Sequence, residues 1–138
     1  MIKEFWINLP VKDLNKSKTF FAALGFSFIP RFANSNEMVG FTIGNKNIVV
    51  MLVPEPGFKS FTKHAIADTT QGSEVLLSID TESREEVDEI AQKVVKAGGT
   101  IYGAPGEKDG WMYGLGFADV DGHRWNVLFM DMSKMPKG

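Results

Sequence analysis

Cysteine is absent from the 138-residue chain, which removes disulfides and thiolate metal sites together. That absence suits a reducing compartment, so a cytoplasmic setting is expected. Histidine is nearly absent as well: His64 and His123 are the two. They fall in a connector and a turn, lack the spacing of a helix-borne pair, and read as exposed polar residues rather than ligands. Cationic excess is missing too. The formal net charge is −2, so no basic field draws phosphate backbones and nucleic acid is not an expected partner. No run approaches the roughly 18 apolar residues of a membrane span. The start Met1-Ile2-Lys3-Glu4-Phe5-Trp6 has no apolar stretch after basic residues, so neither a membrane partner nor a secretory signal is expected. Phosphate-cradling glycine patterns are missing, and Ser73 lacks the flanking glycines of a nucleophile elbow.

What is present suits one globular domain over residues 1–138. Hydrophobic residues make up 43% and charged residues 23%, enough apolar material at this length to build a core without staples. Phe5 to Val11 reads as a strand with Pro10 near its end. Asp13 caps a helix whose apolar positions Phe20, Phe21 and Leu24 recur at helical spacing, and Gly25 stops it. Phe26 to Pro30, Glu37 to Ile43 and Asn47 to Val53 read as strands, the last two joined at Gly44-Asn45. Pro54 to Gly72 reads as a connector.

The pattern then restarts. Glu74 to Ile79 reads as a strand. Ser83 caps a helix with Val87, Ile90, Ala91 and Val94 on its buried face, and Gly98-Gly99 ends it. Thr100 to Tyr102, Trp111 to Phe117 and Arg124 to Met130 read as three more strands. The order β-α-β-β-β therefore occurs twice, with module one over about residues 1–55 and module two over about 73–131. Each copy alone leaves one face of its sheet bare, and two copies side by side can curl those faces around a cleft, a natural ligand site. The expected fold is α+β: two tandem βαβββ modules forming a cupped, partly open mixed sheet with helices on the outside.

The string Leu9-Pro10-Val11-Lys12-Asp13-Leu14 with Ser17, Phe20-Phe21, Leu24-Gly25-Phe26, Ala97-Gly98-Gly99 and Asp119-Val120-Asp121-Gly122-His123-Arg124-Trp125 resembles the vicinal-oxygen-chelate superfamily. This group takes in glyoxalases, bleomycin-resistance proteins and extradiol dioxygenases. The resemblance implies a divalent metal held by one residue from the first and one from the last strand of each module, commonly His or Glu. In this register the four positions are Trp6, Met51, Glu74 and Asn126. An indole is no ligand, a thioether suits hard ions poorly, and an amide offers one neutral oxygen. No metal ligand and no cofactor are therefore assigned.

Strand alternation places Trp6, Asn8, Met51, Leu76, Trp111, Tyr113, Asn126 and Leu128 toward the cup with Glu74. That lining is aromatic and apolar with a few polar groups, the makeup of a small-molecule pocket. Pro105 to Gly114 reads as an exposed loop at its rim. Two functions stay open. One is a metal-free protein binding or sequestering a small, partly aromatic ligand. The other is an enzyme, lactoylglutathione-lyase-like or dioxygenase-like, acting through Glu74 with or without a metal. The resemblance also implies a homodimer.

Overall fold

Each repeat of the sequence builds its own four-stranded sheet with a helix against one face. The computed structural model describes residues 1–32 and 35–136. The chain divides into two units, Met1–Asp68 and Thr69–Gly138. No helix among the described residues is long and apolar enough to cross a membrane.

The first unit runs β1 (Trp6–Val11), α1 (Leu14–Ala23), β2 (Ser27–Phe28), β3 (Val39–Ile43), β4 (Ile48–Pro54) and α2 (Glu55–Thr62). The sheet order is β1-β4-β3-β2. β1 pairs parallel with β4, and the other pairs are antiparallel. The Asp13 carboxylate accepts from the Lys16 N–H at 3.1 Å and starts α1. Gly25, at φ +96°, ends it: Phe26 N–H donates to the Phe21 carbonyl, the long bond of a Schellman stop. The helix sets Phe20 and Phe21 into the core with Leu9, Val11, Phe41, Val50 and Leu52. Phe21 stacks on Phe41 at 4.8 Å, and Phe26 and Phe28 close around the same ring.

The second unit runs β5 (Leu76–Asp80), α3 (Arg84–Ala97), β6 (Thr100–Lys108), β7 (Met112–Ala118) and β8 (Arg124–Met130), in sheet order β5-β8-β7-β6 with β5 parallel to β8. Ser83 accepts from the Glu86 N–H at 3.1 Å, and the Glu86 carboxylate reaches back to the Glu82 N–H at 3.2 Å, a variant of the capping box. Glu85 and Glu86 in the first turn and Lys96 in the last complement the helix dipole. Gly98, at φ +95°, stops α3 as Gly25 stops α1. Val87 and Val94 meet Phe117, Trp125 and Val127 in the core, with Phe117 and Trp125 stacked at 6.0 Å.

Both βαβββ orders agree with the sequence reading, and so do both helix caps and both glycine stops. The strands form two four-stranded mixed sheets, one per unit, each open. Several boundaries differ, three of them in ways that change an element. The connector contains α2, because Pro56 falls in the first turn of the helix, where no N–H partner is needed. The short strand expected over Thr100 to Tyr102 continues to Lys108, so most of the expected rim loop is strand. Its Pro105 is tolerated because β6 lies at the sheet edge, at an irregularity between Gly103 and Gly106. Phe26 to Pro30 reduces to the two-residue β2 followed by a 3-10 turn over Pro30–Phe32.

Candidate functional site

The core side of each sheet faces its helix, so the chemistry available to a ligand lies on the opposite face. In the first unit β1 and β4 are in register with Trp6 beside Val49 and Asn8 beside Met51. These four side chains share the face opposite α1, on which Val53 of β4 meets Gly57 of α2. Trp6 stands 54% exposed at the strand end, and Asn8 is also exposed. Met51 is buried: it lies over Gly40 of β3, where a Cβ would stand 2.5 Å from its Sδ. A methionine packed onto a glycine fills that part of the face with apolar matter.

In the second unit the corresponding face carries Leu76, Ser78 and Asp80 from β5, beside Arg124, Asn126 and Leu128 from β8. Next to them on β7 stand Gly114 and Gly116. The Tyr102 ring from β6 occupies the space above Gly116, and Leu128 fills that above Gly114, where a Cβ would come 2.6 Å from Leu128 Cδ2. Tyr102 arrives there through a β-bulge. Ile101 pairs with Phe117 and Gly103 with Gly116, so two steps on β6 match one on β7, and the extra residue turns its side chain onto the face. The Tyr102 hydroxyl points at the Trp125 carbonyl at 3.2 Å and, more weakly, at Asn126 Oδ1 at 3.4 Å. The Arg124 guanidinium sits over the Tyr102 ring, 4.3 Å from its centroid, a cation–π stack.

Beneath this face, the turn entering β8 is organised by one buried carboxylate. Asp119 Oδ1 accepts from the backbone N–H groups of Asp121 and His123, each at 3.0 Å, and Oδ2 accepts from Trp125 Nε1 at 3.1 Å. Burial pushes the Asp119 carboxyl up from its ordinary value, opposed by the charge of His123 and by these hydrogen bonds. Gly122, at φ +85°, closes the turn, and Thr69 Oγ1 donates to the Asp121 carbonyl at 2.8 Å. The turn fixes the backbone from which Arg124 and Asn126 project.

Several sequence-derived positions need correction. Tyr113 does not lie on the helix-free face. It shares the parity of buried Leu115 and Phe117, faces α3, and donates to Asp88 Oδ1 at 2.6 Å under the Arg84 guanidinium. Trp111 is not in a strand; it lies in the turn before β7, its carbonyl accepting from the Asp131 N–H at 2.7 Å. Alternation over a strand read as Trp111 to Phe117 sets these two aromatics inward, whereas the face of β7 that is buried against α3 is the one of Leu115 and Phe117, which Tyr113 shares. Glu74 is not on β5, which begins at Leu76. It stands exposed in a bend, with no hydrogen-bond or ion-pair partner among the described residues. Leu76, Asn126 and Leu128 do share the helix-free face, and Tyr102, Arg124 and Ser78 join them there unforeseen. The signal for Tyr102 was Gly114 and Gly116 alternating with Leu115 and Phe117: a glycine stripe on one face of a strand leaves room for a ring from its neighbour.

The donor chemistry does not fit a divalent metal. Trp6 and Met51 offer an indole and a buried thioether, Glu74 is a lone carboxylate in a bend, and Asn126 Oδ1 faces the Tyr102 hydroxyl. His64 follows α2 in an exposed turn, and His123 lies in the Asp119 turn. No group of three or more His, Asp or Glu able to hold a metal occurs among the described residues.

Residues 4–44 match the family model for the bleomycin resistance protein-like N-terminal region. No curated protein matches the chain. Among solved structures, hypothetical protein SA1046 from S. aureus is 36% identical, with a TM-score of 0.83 over 94% of this chain and 95% of that one. A glyoxalase-related enzyme from Fulvimarina pelagi shares the fold at 18% identity and a TM-score of 0.80, covering 100% of this chain and 94% of that one. So does the genomically encoded fosfomycin resistance protein FosX from Listeria monocytogenes, at 21% identity and a TM-score of 0.67 over 100% and 97%. The paired βαβββ units thus have the fold of the glyoxalase/bleomycin resistance/dioxygenase proteins, and residues 4–44 carry the sequence pattern of the bleomycin resistance protein-like N-terminal region.

Proposed function

We propose that the chain is a metal-independent small-molecule-binding protein whose ligand seats on the helix-free face of the second unit, with Asn126 at its centre. One observation carries the reading. At the last-strand position where the family commonly places a metal-binding carboxylate, this chain has an amide, and its Oδ1 is turned toward the Tyr102 hydroxyl. An amide held by a phenol is a hydrogen-bonding floor for a neutral or charged organic group and a poor anchor for a hard ion. Leu76 and Leu128 flank that floor with apolar surface, the usual setting of a ligand site. The first unit adds Trp6 and Asn8 on the face opposite α1. Glu74 has no partner to orient it as a general base, so the enzymatic alternative gains no support from geometry.

A cysteine-free composition supports a cytoplasmic setting. Exposed Phe5 and Phe61, outside the proposed ligand face, support a homodimer, which sedimentation equilibrium tests: a monomer at all concentrations removes it.

The test of the binding function is a thermal-shift and titration screen of small aromatic compounds against the full chain, with and without a chelator. Binding is expected to be indifferent to the chelator and to fall about tenfold or more in Asn126→Leu, which removes the hydrogen-bonding floor. Binding that appears only with a divalent metal, or near-stoichiometric metal in the purified protein, overturns the reading.

A further inference from the structure

The polar groups on the helix-free face of the second unit are unequal in kind, and the inequality names a ligand class. Three of them donate. Arg124 projects from the start of β8 opposite Leu76, Asn126 follows two residues on opposite Ser78, and Ser78 itself carries a hydroxyl. The Asn126 amide oxygen faces the Tyr102 hydroxyl, so the free end of that side chain is its NH2 group. The Arg124 guanidinium carbon lies over the Tyr102 ring, 4.3 Å from its centroid. A cation–π contact of this kind uses none of the five N–H donors of a guanidinium, so they stay available to a second partner.

Arg124 takes part in no ion pair among the described residues, although Arg84 in the same unit is paired with Glu107 at 2.7 Å. The carboxylate on this face is Asp80, opposite Leu128 and four residues along β8 from the partner of Leu76. At about 3.3 Å per residue, that separation is about 13 Å along the strand. The cation is thus held by an aromatic ring, with no carboxylate in ion-pair contact among the described residues. A guanidinium fork in that state matches a carboxylate bidentately.

We infer that the site takes a small organic acid, its carboxylate on the edge of Arg124, an adjacent oxygen on the Asn126 amide or Ser78 hydroxyl, and its apolar body against Leu76 and Leu128. The inference rests on the binding function proposed above and narrows it to one chemical class. Tyr102 is a positioning residue here. It touches Arg124 and Asn126, and it fixes both.

The experiment titrates benzoate, phenylacetate and their uncharged amides, benzamide and phenylacetamide, into the full chain and follows backbone amide resonances. The acids are expected to shift the resonances of residues 76–78, 102 and 124–126, and to bind about ten- to a hundredfold more tightly than the amides. Arg124→Met removes that preference and Arg124→Lys retains part of it. The fold of either variant is unchanged, because Arg124 is exposed, and its amide spectrum checks this. Tyr102→Leu weakens the acids with the arginine still present.

If acids and amides bind equally at these residues, and Arg124→Met changes neither while Asn126→Leu weakens both, the binding function stands and the organic-acid assignment falls. If none of the four compounds shifts these resonances, the organic-acid assignment is likewise overturned. If the acids bind only with an added divalent metal, both readings fall.

Discussion

The two units share a topology, a helix cap, a glycine stop and a sheet face opposite the helix that follows the first strand, yet those faces differ in chemistry. In each, a strand second from one edge carries glycine where the next strand lays down a large side chain. In the first unit Gly40 lies under Met51, and in the second Gly116 lies under Tyr102. Methionine fills its space with an adaptable apolar chain and leaves little for a ligand to recognise. Tyrosine fills its space with a rigid ring that stacks Arg124 on one side and hydrogen-bonds toward Asn126. The same backbone device thus gives apolar packing in one unit and a polar platform in the other. The difference lies in which residue meets the glycine.

The largest expected effect concerns a feature described only in the second unit, the buried carboxylate entering β8. Asp119→Ala strips the partner from Trp125 Nε1 and from two backbone N–H groups. Stability should drop by on the order of 3 kcal/mol, read as the urea midpoint, with hydrogen exchange rising across β7 and β8. The same carboxyl has a pH signature. Its folded value is raised by burial, so the folded state holds the proton more tightly than the unfolded chain does. The contribution is fully present below the ordinary aspartate value and is lost as pH rises through the raised one. Between those two values the urea midpoint of the wild type should fall relative to that of Asp119→Asn, and parallel curves would show that Asp119 does not titrate in this way.

A substitution pair tests the glycine device directly. A Cβ on Gly116 meets the ring of Tyr102, which cannot bend away, whereas one on Gly40 meets the flexible end of Met51. Gly116→Ala should cost about 1–3 kcal/mol, and Gly40→Ala less than about 1 kcal/mol. Tyr102→Ala should recover most of the loss from Gly116→Ala in a double-mutant cycle. Equal costs at the two glycines would erase the contrast between the faces.

Smaller effects are expected where the units are built alike. Ser83→Ala and Asp13→Ala each remove one side-chain cap, and each should cost about 1 kcal/mol in thermal unfolding. A marked inequality would show that the two helices are not equivalent supports. The smallest effect is Glu107→Gln. Its pair with Arg84 is largely exposed, so the loss should stay within about 1 kcal/mol and shrink further with added salt.

The legible part of the fold was carried by local signals. Asp13 and Ser83 announced helix starts, Gly25 and Gly98 announced stops, and alternation located strands such as Arg124–Met130 at their observed limits. The candidate site was legible only where parity was secure, as for Asn126, Leu76 and Leu128. It failed at Tyr113 because one face of β7 had to be chosen, and the buried Leu115 and Phe117 chose it. It failed at Tyr102 because a bulge is a relation between two strands, and neither strand's own sequence specifies it. Glu74 was carried into the site by extending β5 two residues beyond the last rung its partner supplies.

The sequence alone determined the repeat, the caps and the core apolar positions, because each depends on residue type and short spacing. The tertiary structure alone decided that Tyr102 lies over Gly116, that Arg124 rests on its ring, and that Asp119 gathers Asp121, His123 and Trp125. Those contacts join residues through strand register and burial, quantities fixed only when the whole sheet has formed.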